Sequence, residues 1–440
     1  MQTIDSLIHA RWIAPVEPDA TVYENHSLAV NEGRIVDMLP AQQARETYRA
    51  DIEHDLGRHL LIPGLVNTHT HAAMTLLRGI ADDLPLDEWL NRHIWPAESR
   101  WVNEDFVHDG TQLAIAEMLR SGTTCFNDMY FFPDVTARVA AHSGIRVCAG
   151  LIILDFPTIW AQDADEYISK GLEVHDRYRS DPLISTLFAP HAPYTVSDAP
   201  LEHIRVLADE LDISIHMHVH ETAAEVGKAL ELTGKRPLAR LQDLGLISPA
   251  LLAVHMTQLT ADEIRQYAEG GGHVVHCPES NMKLASGFSP VVELARAGVN
   301  IALGTDGAAS NNDLDMLGEM RSAALLAKAT SGDASALPAG TVLRMATLNG
   351  AKALGLGEDT GSLVPGKWAD LTAVRLDTLE TRPLYDPVSQ LVYACSREQV
   401  TDVWVAGQHL LKERRLTTLD GNEILQRTRA WQTKIRSTDR

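Results

Sequence analysis

Hydrophobic positions in the middle of the chain fall in short unbroken runs rather than in strict alternation. Eight such runs stand out: Leu60–Asn67, Thr123–Asn127, Arg146–Ile152, Leu183–Phe188, Ile213–Val219, Leu251–His255, His273–His276 and Val299–Gly304. A strand covered on both faces reads this way, because neither face meets water. Longer stretches with apolar residues three or four apart separate them, the spacing of one buried helix face. Eight such βα units over roughly 300 residues predict an α/β fold, a TIM-type (β/α)8 barrel. A doubly wound open sheet is the alternative, but it would not gather the ends of runs one, five, six and eight at one point.

The two ends of the chain have a different texture. Short β-segments recur at Ser6–Ile13, Ser27–Val30 and Gly33–Leu39, and again at Ala369–Val374, Val400–Val405 and Gln408–Leu411. The run from Val364 through Pro365, Gly366 and Lys367 to Asp370 is a turn signal feeding the first of the later strands. A smaller, discontinuous β-sandwich domain built from 1–58 and 365–420 is therefore expected beside a barrel at 59–364. The remaining 421–440 reads as a C-terminal helix and tail, with Glu423–Arg440 amphipathic and polar at its end.

Composition narrows the function classes. A chain of 440 residues, 45% hydrophobic, with 29 Gly and 20 Pro, is that of an ordinary globular protein. A formal net charge of −21 argues against nucleic acid and anionic membrane as partners. Met1–Pro15 lacks a basic stretch followed by an apolar one, and no run of 18 apolar residues follows, so neither a secretory signal nor a membrane span is expected. Cys125, Cys148, Cys277 and Cys395 lie far apart and form no C-x-x-C pair, which suits free thiols in a cytoplasmic setting. Phosphate-cradling glycine motifs are absent as well.

The candidate chemistry sits at the ends of the apolar runs: His69-Thr-His71, His218-Val-His-Glu221, His255 and Asp306. His-x-His on a strand places two imidazoles on one face, since side chains repeat every second residue. Three or four imidazoles and one carboxylate suit a divalent transition metal. Zinc is the default; iron and manganese tolerate the same set. Such a metal lowers the pKa of bound water to about 7. His216, His218 and His220 share one parity, so spacing alone leaves all three open; a structural role is preferred for His216 and His220. Glu221 lies just past its strand, where a carboxylate can shuttle protons.

Longer motifs hold or accompany these residues: Pro63-Gly-Leu-Val-Asn-Thr-His-Thr-His71, Ala189-Pro-His-Ala-Pro-Tyr194, His218-x-x-Glu221, His276-Cys-Pro-Glu-Ser-Asn-Met-Lys-Leu284 and Gly304-Thr-Asp-Gly-Ala-Ala-Ser-Asn-Asn312. From about Ser6 to Leu411 the chain resembles the amidohydrolase superfamily, in the branch that holds 5-methylthioadenosine/S-adenosylhomocysteine deaminases and triazine hydrolases. The resemblance implies metal ligands at His69, His71, His218 and Asp306, with His255 hydrogen-bonded to the metal hydroxide. Two-metal relatives carry a bridging lysine after strand four; Leu183–Tyr194 contains none, only His191. One divalent ion per subunit is expected.

The activity implied is hydrolytic deamination of a purine nucleoside at C6. Asp306 accepts the proton of the attacking water, His255 orients it, and Glu221 protonates the neighbouring ring nitrogen. Trp89, Glu98 and His191 match positions that contact substrate in the resembling deaminases, and a carboxylate such as Glu98 suits vicinal ribose hydroxyls. Some members carry arginines after strand three for a homocysteine carboxylate. Leu151–Ile168 contains no Arg or Lys, and its apolar Phe156 and Trp160 favour a short thioether such as methylthioadenosine. Competing expectations are a guanine- or pterin-type deaminase, a triazine hydrolase, and an inactive metal-bearing scaffold. Homo-oligomers are common among such barrels.

Overall fold

The computed structural model describes residues 1–437. All eight expected strands of the centre are present and run parallel in one sheet, in sequence order. They are β1 Leu65–Thr70, β2 Thr123–Tyr130, β3 Arg146–Ile153, β4 Ile184–Pro190, β5 Ile215–Val219, β6 Leu251–His255, β7 His273–His276 and β8 Asn300–Leu303. Nearly every residue in them is buried, as unbroken apolar runs require. Helices cover the outside between successive strands, giving the TIM-type barrel.

The sheet closes at the seam between β8 and β1, where side chains do much of the joining. Thr68 Oγ1 donates to Leu303 O at 2.6 Å, Asn67 Nδ2 donates to Thr305 Oγ1 at 2.8 Å, and Asp306 N–H donates to His69 O at 3.0 Å. Gly304 permits this approach: a Cβ there would stand 2.8 Å from both the backbone N and the Cβ of His69. Closure thus brings His69 and Asp306, 237 positions apart by subtraction, onto adjacent strand ends.

The first apolar run differs from expectation. Leu60–Asn67 is not one strand: Tyr48–Pro63 belongs to a second sheet, and β1 starts at Leu65. Gly64 marks the break, because a Cβ there would meet the Thr124 side chain at 2.0 Å. The second sheet is mixed and eight-stranded, drawing Gln2–Ile13, Tyr23–Asn31, Arg34–Pro40 and Tyr48–Pro63 from one end. The other end supplies Leu371–Arg375, Val400–Val405, Gln408–Lys412 and Arg415–Leu416. Its halves enclose one core that joins Ile8, Leu28, Ile35 and Leu61 to Leu371, Ala373 and Trp404. Tyr48–Pro63 escapes notice in the sequence because its first half is polar and mostly exposed; pairing with both neighbours makes it a strand.

Arg146 fastens the two sheets together, donating from Nε to Asp370 Oδ2 at 3.0 Å with both groups buried. The C-terminal helix spans Gly421–Arg436, capped by Asp420, and lays Trp431 against Phe106. The expected tail at 438–440 lies outside the described residues. Among the described residues no helix is long and apolar enough to cross a membrane.

Candidate metal centre and its cavity

The C-terminal mouth of the barrel gathers every expected ligand. His69 lies on β1, His71 immediately after it, His218 within β5, His255 at the end of β6 and Asp306 beyond β8. Asp306 Oδ1 lies 3.3 Å from His69 Nε2 and 3.2 Å from His71 Nε2. His69 Nε2 and His218 Nε2 are 3.2 Å apart. Two sets of donor atoms come within metal-binding reach: His69, His71 and Asp306, and His69, His218 and His255.

Hydrogen bonds decide which nitrogen of each ring faces the centre. His71 Nδ1–H donates to Met129 O at 2.6 Å, and His218 Nδ1–H to His191 O at 2.7 Å. His255 Nδ1–H donates to Asn281 Oδ1 at 2.8 Å. A carbonyl oxygen only accepts, so each of these rings carries a proton on Nδ1 and turns Nε2 inward. His69 Nδ1 faces His216 Nε2 at 3.0 Å, so His216 stands behind His69 rather than joining the set. Bare nitrogens 3.2 Å apart beside a carboxylate repel unless a cation or a shared proton lies between them. The donor set therefore fits a divalent cation, and its imidazole–carboxylate chemistry is that of zinc, iron or manganese sites.

Local backbone serves the same end. His255 and Asp306 take φ of +74° and +65°, a left-handed conformation rare outside glycine and retained where the surroundings over-determine it. His220 is likewise left-handed at +53°, which ends the strand alternation and turns its ring away from the cavity. Its Nε2 accepts from Leu238 N–H at 3.1 Å, so it is structural.

Burial sets the charge states around this centre. It opposes protonation of His69, holding it near 4, and places His218 and His216 far below the usual imidazole range. At His71 burial acts the same way, but hydrogen bonding and attraction to Asp306 outweigh it and raise the ring to about 9. Asp306 resists burial through its hydrogen bonds to His69 and His71 and stays ionised. Glu221 has no such donors, and burial raises its carboxyl. Its Oε1 lies 4.0 Å from His255 Nε2. A carboxyl pushed upward and an aspartate held well below the usual range thus stand in one site, the kind of division in which one group gives a proton and the other takes one.

Above the centre opens a cavity of about 750 Å³, lined by His71, His191, His218, Glu221, His255 and Asp306 at its floor. Trp89, Glu98, Trp95 and Tyr130 form one wall. Trp89 is buried and its Nε1–H has no partner, leaving a donor aimed at no protein acceptor. Glu98 accepts from Tyr130 Oη–H at 2.7 Å; burial pushes its carboxyl up to about 7 against that bond. His191 is held neutral near 3, chiefly by burial. Among the described residues no lysine or arginine lines the cavity.

Two details depart from the sequence reading. Trp160 is not in the wall; it packs on Tyr167 with ring centroids 5.5 Å apart, drawn inward by that aromatic partner. Phe156 and Ile159 take the expected apolar place at the mouth. Tyr130, Ser280 and Asn281 were not singled out as site residues. Tyr130 ends the strand Thr123–Tyr130, whose mixed sequence gives no periodic cue, whereas Ser280 and Asn281 lie inside the His276–Leu284 motif.

A buried imidazole–carboxylate cluster at the C-terminal mouth of a parallel barrel, beside a mixed β-sheet from both termini, defines a metal-dependent hydrolase. The amidohydrolase family pattern matches residues 60–410, and the chain belongs to that family. It is a hydrolase acting on carbon–nitrogen bonds. It is 52% identical over 433 residues to a 5-methylthioadenosine/S-adenosylhomocysteine deaminase of Teredinibacter turnerae, covering 98% of each chain. A protein of the same name from Saccharophagus degradans is 51% identical over 433 residues, covering 98% of this chain and 97% of that one. Among solved structures, an adenosine deaminase from Xanthomonas campestris with bound zinc superposes with a TM-score of 0.98 at 55% identity, covering 99% of this chain and 100% of that one.

Proposed function

We propose that the protein is a hydrolytic deaminase of adenine nucleosides, with methylthioadenosine preferred, that holds one zinc ion through His69, His71, His218 and Asp306. The observation that carries this reading is the convergence of those four groups at one point, with His71, His218 and Asp306 joined by Glu221 and His255 on the floor of one cavity. When bound, the ion supplies a water whose pKa is lowered to about 7. The chain's own groups do the rest. Glu221, whose carboxyl burial pushes upward, donates a proton to the ring nitrogen beside C6 and makes that carbon electrophilic.

Water oxygen then bonds to C6, with His255 orienting it and Asp306 taking its proton. Asp306 returns that proton to the amino group, the C6–N bond breaks and ammonia leaves. Glu221 recovers a proton from the new hydroxyl, leaving the C6 carbonyl. Glu98 accepts hydrogen bonds from the ribose hydroxyls, His191 contacts the purine, and Trp89 offers its free N–H to the nucleoside. The names of the two deaminase relatives support the nucleoside class.

The preference for a short thioether rests on the mouth of the cavity. Phe156 and Ile159 present apolar surface there, and among the described residues no lysine or arginine lines the cavity to meet a homocysteine carboxylate. A cytoplasmic setting belongs to the same reading, supported by four cysteines buried as free thiols. Ammonia release from methylthioadenosine, adenosine, S-adenosylhomocysteine and guanine, with metal analysis of the same sample, tests it. Methylthioadenosine is expected to show the highest kcat/KM; turnover of guanine alone, or a higher kcat/KM for S-adenosylhomocysteine, would overturn it.

A further inference from the structure

We infer that Ser280 and Asn281 form a two-residue template that sets the positions of Asp306 and His255, and that they act as positioning residues of the reaction. Ser280 Oγ–H donates to Asp306 Oδ2 at 2.6 Å, and Asn281 Oδ1 accepts from His255 Nδ1–H at 2.8 Å. Both residues are buried, at 0% and 1% exposure, so water does not substitute for either bond. They are neighbours on the helix Pro278–Lys283, which follows β7. Successive helical side chains diverge by about 100°. One rigid turn can therefore reach a group on β6 with one side chain and a group beyond β8 with the next.

Each contact settles a question that the groups themselves leave open. Asp306 has two equivalent oxygens. Oδ1 faces His69 and His71 and also accepts from Gly307 N–H at 2.7 Å; Ser280 occupies Oδ2 and so prevents the carboxylate from rotating. A neutral imidazole has two tautomers. By accepting at Nδ1, Asn281 selects the one whose Nε2 lone pair faces the centre and Glu221.

The helix is in turn held at both ends. Glu279 accepts from Ser322 Oγ–H at 2.7 Å, and Lys283 Nζ donates to Asp82 Oδ1 at 2.7 Å. Asn281 O accepts from Ser286 N–H at 2.9 Å, which closes the following turn. The template is anchored to the barrel independently of the groups it positions.

The inference rests on the proposed deaminase reading for its kinetic arm, and on the metal site alone for its binding arm. The test uses the full chain carrying S280A, S280T, N281L and N281D, with zinc affinity measured by competition against a chromophoric chelator. kcat and KM for methylthioadenosine and the melting temperature are read alongside. Partners that orient ligands are worth about 10–100-fold in metal affinity or activity. S280A is expected to lose zinc affinity by about that factor, with S280T, which keeps the hydroxyl, recovering most of it. N281L, which keeps the shape without the acceptor, is expected to lower kcat by about 10–100-fold at nearly unchanged KM. N281D, which keeps an acceptor toward Nδ1–H, recovers kcat. Unchanged zinc affinity in S280A, equal kcat losses in N281L and N281D, or losses that merely follow melting below the assay temperature would overturn the template. If the wild-type protein deaminates none of the nucleosides, the functional reading falls, while the zinc arm still decides the role of Ser280.

Discussion

Replacing Tyr130 by Phe should change how nucleoside binding depends on pH. Tyr130 donates to Glu98 at 2.7 Å, and Glu98 is buried enough to titrate at about 7 rather than near 4.5. A tyrosine hydroxyl can donate to either form of the carboxyl group but does so more strongly to the ionised one. Taking the difference as about 1.4 kcal/mol, its loss raises the Glu98 pKa by roughly one unit. The sign is then fixed: the ionised fraction at pH 7 falls from about one half to about one tenth, while at pH 9 both proteins stay more than nine-tenths ionised. If the carboxylate holds the ribose diol, KM for adenosine in Y130F should rise about fivefold at pH 7 and return close to wild type at pH 9. Steady-state kinetics from pH 6 to 9 measure this, with 2′-deoxyadenosine as the control that cannot offer the diol. A KM increase that persists at pH 9, or an equal pH-dependent increase for the deoxy substrate, would refute the reasoning.

Four further outcomes are expected. Glu221→Gln, which cannot give a proton, should lower kcat by about 10²–10⁴-fold while the protein keeps its full metal content by elemental analysis. Removing the metal with a chelator should abolish ammonia release and lower the melting temperature, and zinc should restore both; a thousandfold excess of ion over its dissociation constant is worth about 4 kcal/mol. Gly304→Ala would force a Cβ within 2.8 Å of His69. A destabilisation of about 1–3 kcal/mol and weaker zinc binding should follow, read by denaturant melts and metal competition. Ile159→Arg places a cation at the mouth, where the native side chain is 64% exposed. An exposed ion pair is worth only about 0.2–1 kcal/mol, so kcat/KM for S-adenosylhomocysteine should rise at most about fivefold, with methylthioadenosine unaffected.

Much of this protein is written in short-range pattern. Unbroken apolar runs such as Arg146–Ile153 and Leu251–His255 read as strands covered on both faces, and their number and spacing point to a barrel before any contact is known. Polar residues that end such runs, His69, His255 and Asp306, stand out because an ordered series of them at successive strand ends is hard to obtain by chance. What local pattern could not do was separate His216, His218 and His220, which share a parity. Tertiary contacts separate them: His216 meets His69, His218 meets the centre, and a left-handed turn sends His220 to Leu238. Parity is a property of the strand, whereas the role of each ring depends on depth along the barrel axis and on where the strand stops. Trp160 and Phe156 were alike as apolar residues on one loop, and only packing against Tyr167 took the first away from the cavity. The polar strand Tyr48–Pro63 formed because partners on both sides satisfied its backbone. Residue type and spacing thus pointed to the barrel and to its candidate metal-binding groups; the orientation of each group, and the Ser280–Asn281 and Tyr130 contacts beside them, arise between segments far apart in the chain and exist only once the barrel has closed.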